Sequence, residues 1–280
     1  MRVADRLSDA ESRARRTGSD ATAWDARLLL AHAVGHDKPL ALDPRGDVPA
    51  AAASRFEDLW ERRIAGFPVQ HLVGEWDFFG RPFSVDSRAL VPRPETELLV
   101  ETALAEAPDA RRVLDLGTGS GILAVTWLLE RRESRAVAVD ASADALALAR
   151  RNAARHGVLG RLAFAAGDWT SALASGAAFD LAISNPPYLA TGEAANLSPT
   201  VRDHDPARAL FAGADGLEAI RRLLDDVPAH LAPGAPFLFE IGSGQAEAVE
   251  REVSARSAWR LERIVPDLAG IPRVAVLRRA

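Results

Sequence analysis

The chain of 280 residues contains no cysteine. That excludes a disulfide framework, a thiolate nucleophile and any zinc or iron–sulfur site held by cysteine, so the chemistry must come from other groups. Lys38 is the only lysine among 34 Lys and Arg, which reads as a coding bias and carries no function. No apolar run approaches the roughly 20 residues that a membrane span needs, and Met1 to Arg6 opens a charged helical pattern rather than a signal peptide's apolar stretch. A cytoplasmic protein with no membrane partner is expected. Basic excess is missing too, since 39 Asp and Glu give a net charge of −5. That argues against a protein whose main task is gripping nucleic-acid phosphates, and no stable nucleic-acid partner is expected. A metal-ligand spacing is also lacking: nothing completes a usual set around His32 and His36, so no metal is expected. What is present is apolar residue, 48% of the chain, enough for the core of one large domain or two modest ones.

From Met1 to about Gly66 the periodicity is helical. Val3, Leu7, Ala10 and Ala14 recur at helical spacing up to Gly18. Asp20 offers an N-cap for a segment carrying Trp24, Leu28 and Leu29. After Pro49, Phe56, Leu59, Trp60 and Ile64 mark a third helix, which Gly66 and Pro68 end. The stretches His36 to Pro39 and Asp43 to Gly46 read as loops. Between Val69 and Pro94 the period changes, and Trp76 to Phe79 with Phe83 and Val85 predict two short strands around Gly80-Arg81-Pro82.

From Arg111 onward, strands alternate with helices. The strands are Val113–Leu116, Ala136–Asp140, Leu162–Ala165, Phe179–Ile183 and Pro236–Ile241, with helical patterns such as 143–156 and 216–231 between most of them. Such apolar, two-sided strands predict a parallel α/β sheet covered on both faces. Arg260–Val265 and Arg273–Leu277 add a closing hairpin, so one edge strand should run antiparallel. The expected division is a helical bundle over 1–68, a β-hairpin linker over 69–94 and an α/β domain over 95–280.

Asp115-Leu116-Gly117-Thr118-Gly119-Ser120-Gly121 follows a predicted strand and opens a predicted helix, the context that a ligand-cradling loop requires. Ile122 stands where a dinucleotide fingerprint would have its third glycine, which favours a nucleoside-type ligand over a pyrophosphate and disfavours a nicotinamide dehydrogenase. Asp140 closes the second strand, about 20 residues on, where a carboxylate can accept both ribose hydroxyls; Ser142 is free to cap the helix that follows. After the third strand, Asp168 and Trp169 offer an acceptor for an exocyclic amine and a ring for stacking on adenine. Trp169 would serve equally as a core residue. Taken together, three successive strand ends each offer one part of an adenosine site.

Ser184-Asn185-Pro186-Pro187-Tyr188 follows the fourth strand, and Tyr188 is the chain's only tyrosine. Two prolines stiffen the backbone, so the Asn185 side-chain oxygen and the carbonyl after it can act as fixed, parallel acceptors. Paired acceptors suit a planar NH₂ group: holding both hydrogens aims the nitrogen lone pair at an electrophile, and a tyrosine ring can stack on the group that carries the amine. The plain alternative is an Asn-Pro turn.

These residues carry a resemblance. Asp115 to Gly121 and Asn185 to Tyr188 resemble the cofactor loop and catalytic motif of class I S-adenosylmethionine-dependent amino-methyltransferases with a Rossmann-like sheet. Gln70 to Gly74, Phe78 to Phe83, Val91-Pro92-Arg93-Pro94-Glu95-Thr96-Glu97, Ala209-Leu210-Phe211 with Gly213 and Gly216-Leu217, and Glu240-Ile241-Gly242 with Gln245 are similar to the release-factor glutamine methyltransferase family (PrmC/HemK), over roughly residues 67–280. Asp205-Pro206 departs from the Glu-Pro expected there. The resemblance implies S-adenosylmethionine as cofactor, held by Gly117, Thr118, Gly119, Ser120, Gly121, Asp140, Asp168, Trp169 and Asn185. It implies methylation of the glutamine amide nitrogen, N5, in the Gly-Gly-Gln tip of class 1 peptide chain release factors, a step that modulates translation termination. Asn185, Pro186 and Tyr188 would be catalytic, with Pro187, Arg93 and Glu95 joining them in binding the substrate, and the Pro92–Glu97 loop would close over the methionine end of the cofactor and the glutamine. The amino-terminal helices are compatible with that family's substrate-recognition domain. Asn-Pro-Pro-Tyr is shared with adenine methyltransferases, so an adenine-N6 methyltransferase acting on DNA or RNA is the rival, and a non-catalytic nucleotide-binding module is a third reading.

Overall fold

A computed structural model describes every residue except 37, 175 and 177, so Asp37 of the expected His36–Pro39 loop lies outside the described residues. The chain divides into two compact units. The first comprises Met1–Glu75 and a distant segment, Ser198–His204. Its helix α1 (Val3–Thr17) buries Val3, Leu7, Ala10 and Ala14 on one face and stops at Gly18, where φ is 67°. Helix α2 (Ala23–Val34) starts from a capping box: the Thr22 hydroxyl accepts from Asp25 N at 3.1 Å and the Asp25 carboxylate from Thr22 N at 2.9 Å. Asp20, the expected cap, is drawn away instead and accepts from Arg63 Nη1 at 2.8 Å. Helix α3 (Ala50–Ile64) packs against α2 around Leu29, Leu30, Phe56 and Trp60, none of them exposed. Val69–Val73 is helical (α4) rather than the start of a hairpin, because Pro68 presets its entry, Val69 and Leu72 bury one face, and Gly74 (φ 78°) ends it. The short helix Pro199–His204 completes this unit, with the His204 ring 4.4 Å from Phe67 and the Thr200 hydroxyl donating to Asp20 at 3.0 Å.

The second unit holds Trp76–Leu197 and Asp205–Ala280. Strands β1 (Glu75–Phe78), which begins at the unit boundary, and β2 (Arg81–Ser84) form the expected hairpin. Phe79 (φ 52°) and Gly80 (φ 69°) make its tight turn, and positive φ at both central positions matches the right-handed twist of the strands. Helix α5 (Glu95–Glu106) follows. The main sheet comprises β3 (Arg112–Leu116), β4 (Arg135–Asp140), β5 (Leu162–Ala166), β6 (Leu181–Ser184), β7 (Pro236–Glu240), β8 (Trp259–Pro266) and β9 (Pro272–Arg279), in the order β5-β4-β3-β6-β7-β9-β8. Strands β3 to β7 are parallel; β3, β6 and β7 are buried on both faces by helices that include α6 (Ile122–Glu130) and α7 (Ala143–Arg155), whereas the edge strand β5 leaves Ala163 and Ala166 exposed. The antiparallel strand is β9, which lies inside the sheet against β7; the edge strand β8 is antiparallel to β9 and so runs with the rest. Phe179 forms only an isolated bridge, because the Asp180 carboxylate turns to accept Arg111 N and Arg112 N at 2.9 and 2.8 Å before β6 begins. Strand order reverses between β3 and β6, and a crevice at the carboxyl ends of the strands follows from that reversal. Among the described residues, no helix is long and apolar enough to cross a membrane.

Candidate active site

The glycine loop leaves β3 at this crevice. Gly117, Gly119 and Gly121 have φ of 69°, 54° and 82°, which L side chains rarely adopt. Each glycine has its own reason. A β-carbon on Gly117 would lie 3.3 Å from the Trp169 ring, whereas one on Gly121 would lie 2.9 Å from Ala149 Cβ, so the third glycine serves the packing of α6 on α7 rather than a ligand. At the end of β4, the Asp140 carboxylate accepts Gly119 N at 2.9 Å and Ser142 N at 2.8 Å, tying loop and strand end together. Ser142, not Asp140, caps α7 by accepting Ala145 N at 3.2 Å.

Beneath the loop, Asp115 is fully buried. The Thr118 hydroxyl donates to its Oδ2 at 2.6 Å and Ala124 N at 3.1 Å, while its Oδ1 has no partner. Burial pushes its carboxyl up to about 7 against those two hydrogen bonds.

A cavity of about 230 Å³ opens over the loop. Gly117, Thr118, Gly119 and Ser120 form its floor, and Asp140, Asp168 and Trp169 stand on one side. Asn185, Pro187 and Arg93 line it with Thr96. Asp168 lies at the rim, 65% exposed and 3.7 Å from Arg222. Four expected site residues do not line this cavity: Gly121, Pro186, Tyr188 and Glu95. Gly121 is taken up by helix packing. Tyr188 lies against Gly242, where a β-carbon would come within 3.0 Å of its ring, and burial with the neighbouring Glu240 charge pushes its hydroxyl up to about 12. No group among the described residues donates to the Pro186 carbonyl. Glu95 begins α5, close enough to Glu240 for its charge to raise that carboxyl further.

Several residues that hold this rim in place had no role assigned from sequence. Asn185 Nδ2 donates to the Thr96 hydroxyl at 3.1 Å, and Thr96 donates to Glu240 Oε2 at 2.7 Å. Glu240 is 1% exposed, and burial pushes its carboxyl up to about 7 although Thr96, Arg273 and Tyr188 pull it down. Gln245 clasps the end of the motif, donating to the Tyr188 carbonyl at 2.9 Å and accepting Gly242 N at 2.8 Å. Arg93 Nη2 donates to the buried Asp205 at 3.0 Å, so the shorter acid at this position still reaches the loop. The sequence marked these residues only as members of the segments that carry the resemblance, without a role for each.

The glycine loop, the carboxylate on β4 and the ring of Trp169 line one cavity and together fit an adenosine. Fold and site define a Rossmann-like, S-adenosylmethionine-dependent methyltransferase. A solved methyltransferase from Pyrococcus furiosus shares this fold with a TM-score of 0.53, at 17% identity over 72% of this chain and 90% of that one. Family models place a methyltransferase small domain at residues 93–201 and a PrmC N-terminal domain at 5–74. The chain is 47% identical over 279 residues to a release factor glutamine methyltransferase of Cereibacter sphaeroides, covering 99% of each protein. It is 40% identical to one of Nitratidesulfovibrio vulgaris, over 98% of this chain and 94% of that protein. The chain therefore belongs to the release factor glutamine methyltransferase family.

Proposed function

We infer that this enzyme transfers a methyl group from S-adenosylmethionine to the side-chain amide nitrogen of a glutamine in peptide chain release factors, at their Gly-Gly-Gln tip. The observation that carries this reading is the pair of unclaimed acceptors at the end of β6, Asn185 Oδ1 and the Pro186 carbonyl, beside the cofactor cavity. When bound, S-adenosylmethionine supplies an electrophilic methyl on a sulfonium sulfur.

A glutamine amide is a poor nucleophile, because its nitrogen lone pair is delocalised into the carbonyl. The residues of this chain act on that delocalisation by position. Asn185 Oδ1 and the Pro186 carbonyl accept the two amide hydrogens, hold the nitrogen in the cavity mouth and favour a localised lone pair. Pro186 and Pro187 keep the acceptors rigid. Tyr188 is assigned to the amide plane from the other side of the motif, and Arg93 and Glu95 to the approaching peptide. Gly117 to Ser120, Asp140, Asp168 and Trp169 are assigned to the cofactor, Gly121 to its supporting helix. The amino-terminal helices are assigned to recognition of the factor.

The test is transfer of labelled methyl from S-adenosylmethionine to purified release factor, beside a factor whose Gly-Gly-Gln glutamine is replaced and beside adenine-containing duplex DNA. Label on the intact factor alone is the expected result. Label on DNA, or on both factors, would leave a methyltransferase and overturn the glutamine assignment.

A further inference from the structure

The side-chain amide of Asn185 has two ends of nearly equal shape and opposite chemistry, and a half-turn exchanges donor for acceptor. On the glutamine reading, only one of the two orientations works. With Oδ1 toward the cavity, Asn185 accepts a hydrogen from the substrate amide; with Nδ2 there, two donors face each other.

The choice is made by the neighbour of its other end, Thr96, which lines the same cavity. Thr96 is 1% exposed and sits in the first turn of α5, held there by a β-branched side chain with few rotamers. Its hydroxyl carries one hydrogen, and while Glu240 is ionised that hydrogen is committed to Glu240 Oε2 at 2.7 Å. What remains toward Asn185 is a lone pair, which can only accept, and it accepts from Nδ2 at 3.1 Å. Glu240 is buried at the carboxyl end of β7, the strand next to β6 in the sheet, so its oxygen cannot turn to water. The three residues come from a helix, a strand end and the motif itself, which accounts for the presence of a threonine in the Pro92–Glu97 segment and a carboxylate after an apolar strand.

We propose that Thr96 and Glu240 are positioning residues that fix the orientation of the Asn185 amide, setting its oxygen toward the substrate through a one-way chain of hydrogen bonds. The proposal rests on the glutamine reading given above and adds the residues that make Asn185 an acceptor there.

The experiment compares Thr96→Val, which keeps the shape and removes the hydroxyl, with Thr96→Ser, which restores it, in the full-length enzyme with release factor as acceptor. Thr96→Val should lower kcat ten- to a hundredfold while the calorimetric Kd for S-adenosylmethionine stays within twofold. Thr96→Ser should recover kcat to within threefold of the wild type. Thr96→Ala carries the same expectation as valine and covers the case in which valine does not pack. Glu240→Leu, which removes the acceptor and leaves the Thr96 hydroxyl free to turn, should lower kcat toward the Thr96→Val value while the Kd for S-adenosylmethionine stays within twofold. A purely structural role would lower stability and cofactor binding along with the rate and would not separate serine from valine. Hydroxyl-free variants that keep kcat within threefold, or a serine variant as impaired as valine, overturn the proposal. Wild-type enzyme that labels no glutamine overturns the underlying reading instead, and Asn185→Ala run in parallel separates the two failures.

Discussion

A β-carbon placed on Gly216 would stand 2.4 Å from the Tyr188 carbonyl oxygen and 2.9 Å from Gln245 Nε2. Ordinary contact begins at 3.4 Å, so Gly216→Ala must push the Tyr188 carbonyl away by about 1 Å or break the Gln245 clasp that holds it. Gly216 also has φ of 75°, where an alanine costs about 1–2 kcal/mol. Loss of the Gln245 hydrogen bond adds about 1 kcal/mol. The variant should therefore unfold with about 2–3 kcal/mol less stability, and a misplacement of ~1 Å in a positioning element lowers turnover about a hundredfold. Gly234→Ala is the matched control: φ is 74°, and nothing lies within 4 Å of its β-carbon, so it carries the conformational cost alone. Methyl transfer at saturating release factor, calorimetric binding of S-adenosylmethionine and urea unfolding would be measured for both. Gly234→Ala should lose stability and keep its rate; Gly216→Ala should lose both while binding cofactor. A Gly216→Ala enzyme within threefold of wild-type kcat would show that the clasp does not position the catalytic motif.

Asn185→Ala should abolish turnover by more than about a hundredfold and weaken cofactor binding much less, as expected for a group acting in the transition state; equal losses in single-turnover and calorimetric assays would reassign it. Asp140→Ala removes both the expected ribose acceptor and the tie to Gly119 N at 2.9 Å, so the Kd for S-adenosylmethionine should rise at least about tenfold, and an unchanged Kd in calorimetry would refute the ribose role. Asp115 and Glu240 are both raised to about 7 from 3.8 and 4.5, so the folded state binds their protons more tightly than the unfolded state does. Their stabilisation is complete below the lower values and lost as pH rises to about 7; urea unfolding of the unliganded enzyme should show stability falling as pH rises from about 4.5 and levelling off above about 7, by up to a few kcal/mol. His156, held below its usual value by burial, works in the opposite direction, so Asp115→Asn and Glu240→Gln should each flatten the fall, and profiles identical to wild type would discount those carboxyls.

The sheet and the cofactor loop were legible because their causes are local. Buried parallel strands such as Val113–Leu116 are apolar on both faces, and Gly117 and Gly119 are glycine for reasons of φ that the next few residues share. Asn185 stood out because two prolines after an asparagine have few uses. What stayed hidden depends on partners far along the chain. Asp20 was the cap expected for α2, but Arg63 takes it at 2.8 Å and Thr22 caps the helix instead. Thr96 and Glu240 act through each other across 144 positions. Gly121 matched the cofactor loop by spacing, yet its neighbour is Ala149. The placement of β9 inside the sheet follows from long-range pairing with β7, which a hairpin pattern alone does not encode.

The helical unit takes in Ser198–His204, so the chain that leaves Tyr188 joins that unit before it returns at Asp205, the residue that holds Arg93. Grafting the first 75 residues of a relative onto this enzyme would therefore be an incomplete exchange. The foreign helices would meet a resident segment whose Thr200 is matched to Asp20 and whose His204 is matched to Phe67. A chimera that replaces this unit has to carry both pieces of chain, and its second junctions fall on either side of Ser198–His204, one of them beside Asp205, the partner of the cavity-lining Arg93. The two units are thus linked in inheritance: neither can be traded between relatives by a single crossover.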